Sequence, residues 1–145
     1  SEKCAQAASL LAPSMRANAF EAYLAGLMAN VGIVVAFRLI DQMYKDEALP
    51  QSDEFIDELF TQGRILSARI AELWEFPAAV TDAIAHAGEP DAPALAQTLA
   101  LSDRVSKLRM LVDATKYVHD DPFVVDGLSK AALACFDKLE DDEDE

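Results

Sequence analysis

Glycine and proline are scarce, at five and six residues in a chain of 145. A sandwich or barrel of short strands needs a tight turn every few residues, and this composition argues against one. Cysteine is rarer still: Cys4 and Cys135 stand alone. Two isolated thiols make no disulfide framework in a chain with enough apolar residues for its own core. Both are expected as small buried side chains. Basic residues number 12 against 26 acidic ones, a formal net charge of −14. That field opposes nonspecific nucleic-acid binding, so no nucleic-acid partner is expected. The trio Arg104, Lys107 and Arg109 is the one local basic cluster, and a solvated helix face accounts for it. The longest apolar-rich run, Phe20 to Ile40, is interrupted by Glu21, Asn30, Arg38 and two glycines. It reads as too polar to span a bilayer. No basic segment with a cleavage site opens the chain, so a cytoplasmic protein without membrane attachment is expected. The Gly-x-Ser-x-Gly and Gly-x-x-x-x-Gly-Lys-Ser/Thr patterns are both missing.

What is present is apolar and helix-forming. Apolar residues are 52% of the chain and charged residues 26%, enough for one core. Apolar positions recur at helical spacing over Glu2 to Ala12, Ala19 to Met28 and Ile33 to Tyr44, with Gly26 suited to close packing and Gly32 to a break. The last of these is apolar nearly all round, the pattern of a central core helix. A loop over Asp46 to Gln51 leads to Ser52, a good N-cap, with Asp53 and Glu54 at the positive helix end. Ser52 to Phe60 and Gly63 to Trp74 read as one helix or two, with Gly63 as the break between them. Further helices are predicted over Pro77 to Ala87, Ala94 to Val112 and Pro122 to Leu139. In the long one, Leu95, Leu99, Val105, Leu108 and Leu111 are the candidates for the buried face. The fold class is all-α, a compact bundle of about six to seven helices. Residues 1–139 read as one domain and 140–145 as a solvated, frayed acidic tail.

Four stretches together carry a family resemblance. Gly26-Leu27-Met28-Ala29-Asn30-Val31-Gly32 stands where HD-type proteins have Gly-Leu-Leu-His-Asp-Ile-Gly. Gly63 through Leu73-Trp74-Glu75-Phe76-Pro77 matches a helix ending in Trp, a short linker and Pro. Ala83-Ile84-Ala85-His86-Ala87-Gly88-Glu89-Pro90 looks like an Ala-Ile-x-x-His-His-x-Pro stretch. Ser102-Asp103-Arg104-Val105 follows where such proteins have Ala-Asp-x-Leu. In order and spacing, most of residues 1–112 resembles the HDOD family, degenerate relatives of HD phosphohydrolases. The resemblance is to the C-terminal half of that domain, with the preceding helical half missing. It implies an HD-domain-like bundle and a role in bacterial signal transduction.

The resemblance also implies that the metal chemistry has been lost. An HD hydrolase uses a bound metal to lower the pKa of water and to hold phosphate oxygens. Ala29 and Asn30 replace the His-Asp pair, and Gly63 stands near another histidine position. His86 is the survivor of a histidine pair, and Asp103 matches the last metal-binding aspartate. Too few ligands remain for a catalytic site with three protein donors. No catalytic residue, metal or cofactor is therefore expected. His86 also reads as a residue capping a helix C-terminus, and Asp103 as a helix-surface charge. His119-Asp120 repeats the dipeptide but precedes Pro122, in a turn. Leu27, Trp74 and Phe76 are the expected core anchors. The function implied is a non-catalytic regulatory or scaffold domain binding a protein partner or a small ligand, with a homodimer as a further assembly. The alternative is a residual metal-dependent phosphohydrolase.

Overall fold

The computed structural model describes residues 2–44, 50–114 and 129–139. The loop over 46–49, His119-Asp120, the first part of the helix expected from Pro122 and the acidic tail lie outside the described residues.

Among the described residues the chain is all helical, without a strand. Helix α1 (Glu2–Leu11) runs into a 3-10 turn, Ala12–Met15. Then come α2 (Ala19–Met28), α3 (Val31–Met43), α4 (Asp53–Leu73), α5 (Ala78–His86), α6 (Ala94–Ala114) and α7 (Lys130–Lys138). Caps mark several starts: Asn18 Oδ1 accepts from Glu21 N at 3.0 Å, and Ser52 Oγ from Phe55 N at 3.2 Å. Each satisfies an amide that the first helical turn leaves without an acceptor.

The core is built on α1, α2, α5 and α6. Small residues let α1 and α2 approach closely: a Cβ on Gly26 would lie 2.6 Å from Ala5 Cα. One cluster joins Leu11, Val105, Val112, Cys135 and Phe136, tying α1 and α6 to α7. Another joins Cys4, Met28, Ala71, Val80, Ile84 and Leu99, below the cavity described next. Both thiols are buried. Burial raises the pKa of Cys4 from 9.0 to about 11, with Asp103 adding to the effect. Burial does the same for Cys135, also to about 11. The native thiols thus hold their protons more tightly than unfolded ones. The stability they contribute is complete below pH 9.0 and is lost as pH rises toward about 11. Urea melts across that window are expected to show falling midpoints, and Cys4→Ser/Cys135→Ser should flatten the slope.

Several expectations are corrected. The break before α3 falls at Ala29-Asn30, and Gly32 sits in the first turn of α3. Gly63 does not interrupt α4, which is continuous. Helix α3 is not central. It packs mainly on α4; Gly32 is its buried residue, while Val34, Phe37, Leu39 and Met43 are exposed. Nor is the run through α2 and α3 too polar to span a bilayer by composition. An 18-residue window within Ala19–Met43 reaches a mean hydropathy of 1.8, with 22% of that window buried. Leu111 is exposed rather than inward.

The anchors need correction as well. Trp74 is 60% exposed, Leu27 is half-buried outside the core clusters, and Phe76 alone packs against a core cluster. The cause is the helix end. Glu75 adopts φ 60°, Glu75 N donates to Glu72 O and Phe76 N to Ala71 O, both at 3.0 Å. This left-handed closure turns Phe76 back onto the bundle and leaves Trp74 outside. Trp74→Ala should therefore change stability by less than about 1 kcal/mol, as exposed substitutions do. Phe76→Ala should cost more, and urea unfolding of the two variants side by side checks the order.

Candidate functional site

A cavity of about 310 Å³ opens where the α2–α3 junction, α4, the end of α5 and the middle of α6 meet. Its walls include Ile33, Phe60, Ile84 and Leu99, and its polar groups are Asn30, Arg64, Asp103 and Lys107. Ala29, Gly63, Ala87 and Gly88 complete much of the lining. Four of the five positions singled out in sequence, Ala29, Asn30, Gly63 and Asp103, thus face one space. His86 does not line it. Its side chain is 51% exposed, and Nδ1 lies 3.0 Å from Glu89 Oε2. It occupies the last turn of α5, immediately before the C-cap residue Ala87.

The junction that carries Ala29 and Asn30 is held by a residue that sequence reasoning missed. Ser67 is fully buried on α4. Its Oγ accepts from Gly32 N at 2.7 Å. The same hydroxyl lies 2.9 Å from Ala29 O and 3.0 Å from Gly63 O, so one proton is shared between two carbonyls. A Cβ on Gly32 would collide with the Gly63 carbonyl oxygen. Gly63 is thus where α3 crosses α4. The signal in the sequence was Gly63 and Ser67, small residues one turn apart on one helix face.

The electrostatics come from α4 and α6. Lys107 Nζ binds Asp103 Oδ2 at 2.6 Å, one turn away, and lies 5.9 Å from the centre of the Phe60 ring. Arg64 Nη1 donates to Ala87 O at 3.3 Å, while its buried Nε has no partner among the described residues. The basic trio is dispersed: Lys107 faces the cavity, Arg104 is exposed and Arg109 is buried.

These groups do not fit a divalent metal. Ala29 and Gly63 have no side-chain donor, Asn30 offers a neutral amide, and Asp103 is held by Lys107. Among the described residues, no three His, Cys, Asp or Glu side chains come together as a metal-holding group.

The family model for the HDOD domain matches residues 1–90. The chain belongs to the HDOD family. The match spans α1 through α5 and so contains Ala29, Asn30, Gly63 and His86. It lies in the N-terminal part of this chain, and it does not support the placement in the C-terminal half of the HDOD domain. Asp103 lies beyond the match and is tied to the other positions by the cavity they share. No curated protein and no solved structure matches the chain.

Proposed function

We propose that this HDOD chain is a non-catalytic regulatory or scaffold domain of cytoplasmic signal transduction that works by binding a protein partner. The observation that carries the reading is the cavity lining. At the positions matching HD-type metal ligands it presents Ala29, Asn30 and Gly63, with Asp103 bound to Lys107. A hydrolytic metal needs several imidazole and carboxylate donors around an open coordination position.

A second feature supports action through surfaces. Helices α3 and α4 leave an open groove lined by Ala36, Leu39, Ile40, Ile65 and Leu66, with Gln62 and Arg69 as its polar residues. Exposed Val34, Phe37 and Met43 extend the apolar character of α3. Contiguous exposed apolar surface of this kind marks interaction sites. With a net charge of −14, a partner offering apolar side chains within a basic rim is favoured.

The reading is tested by a screen of phosphomonoester and phosphodiester substrates with Mn²⁺, Mg²⁺ and Fe²⁺. The expected result is no metal-dependent turnover beyond that of Asp103→Asn. Metal-dependent hydrolysis by the wild-type chain that Asp103→Asn abolishes would support the phosphohydrolase alternative instead.

A further inference from the structure

We infer that the cavity beside Arg64 is a binding site for a small organic anion, with Arg64 holding the acid group. The inference rests on the reading that this cavity is not a metal centre. It adds a ligand class to the same site.

The guanidinium sets the chemistry. Nη1 of Arg64 is committed to the Ala87 carbonyl at 3.3 Å. That bond fixes the plane of the group, while its Nε has no hydrogen bond among the described residues. Nε is buried, and a buried charged donor with no acceptor is costly enough to need an explanation. The Nε–Nη2 edge of arginine is a rigid two-donor fork that matches the paired oxygens of a carboxylate or phosphate.

The surroundings agree with such a ligand. Arg64 and Lys107 bring two positive charges and Asp103 one negative, which leaves a net +1 in the cavity lining. In a chain of net charge −14, that is a local reversal of sign. Ile33, Phe60, Ile84 and Leu99 supply an apolar wall. At about 310 Å³ the space is that of a small-metabolite pocket: apolar sides and a few polar groups that fix orientation. The Asn30 side chain makes no capping bond to α3, and its amide can donate to a second oxygen of the ligand.

The site also offers a route from ligand to surface. Arg64 and Gly63 are adjacent on α4, and Gly63 is where α3 crosses. Phe60, at the cavity rim, is exposed on the same helix. An anion drawn to Arg64 therefore acts on the helix that carries half of the apolar groove.

The test is an amide NMR titration of the full chain with inorganic phosphate, butyrate and benzoate. At least one probe is expected to shift the amides of Ala29, Gly63, Ala87 and Gly88 in a saturable way. Arg64→Gln should weaken that binding by roughly tenfold or more, as expected for a lost charge-assisted bond. Arg69→Gln, on the groove side of α4, should leave it unchanged, and Arg64→Lys should restore part of it. Tighter butyrate or benzoate than phosphate assigns a carboxylate ligand; the reverse order assigns a phosphate ester. No saturable shift at these amides with any probe, or equal affinity in wild type and Arg64→Gln, overturns the inference. That failure leaves the non-catalytic reading standing, because that reading falls only to metal-dependent turnover.

Discussion

Arg109→Met is expected to lower stability by about 3–5 kcal/mol, the cost of removing one member of a buried ion pair. Arg109 is 4% exposed in the middle of the bundle. Its Nε lies 3.2 Å from Asp113 Oδ1, and its Nη1 donates to Phe136 O at 3.0 Å. The guanidinium also sits 5.3 Å from the centre of the Phe136 ring, while Lys3 Nζ approaches Asp113 at 3.8 Å. One arginine therefore joins α6 to α7 and, through Asp113, to α1. Methionine keeps much of the packing volume but strips Asp113 of its nearer cation and the Phe136 carbonyl of a donor. Arg109→Lys retains the charge without the fork and should fall between the two. Urea unfolding followed by circular dichroism measures the series. A loss below about 1 kcal/mol for the methionine variant would mean that the cluster is effectively solvated.

Gly32→Ala is expected to cost about 3 kcal/mol, the upper part of the range for overpacking a tight contact. The added methyl meets backbone, namely the Gly63 carbonyl and the Ser67 amide, so no side-chain rotation relieves it. Relief requires α3 to move off α4, and that breaks the Gly32 N to Ser67 Oγ bond of 2.7 Å. Gly63→Ala is the internal control. Its new Cβ would lie 3.1–3.2 Å from Ile33 Cδ1, Cα and Cβ, a far milder approach than the contact with a carbonyl oxygen at Gly32. Alanine is also the better helix former by about 1 kcal/mol. The two substitutions should therefore differ clearly in unfolding midpoint. Equal effects would mean that α3 is not held at this crossing.

The helices were legible because their signals are local. Ser52 marks the start of α4, and the Gly-Glu-Pro stretch after α5 marks a loop, since capping and turn formation involve residues a few positions apart. The place of α3 was not legible. Its residues are apolar nearly all round, and periodicity cannot tell a helix inside a core from one whose apolar face is left uncovered. Trp74 failed for a different reason. Its exposure is decided by the left-handed turn at Glu75, and a non-glycine residue gives little warning of such a turn. Asn30, Gly63 and Asp103 line one cavity, whereas His86 lies outside it with its side chain beside Glu89. Arg109 looked like a surface charge until its partners on α7 and α6 were placed around it.

The most direct measurement is a calorimetric titration of the chelator-treated chain with Mn²⁺, Fe²⁺ and Zn²⁺, with bound metal confirmed by elemental analysis. No stoichiometric site and no difference between wild type and Asp103→Asn are expected. One equivalent of metal, bound tightly by wild type and lost in Asp103→Asn, would contradict that expectation.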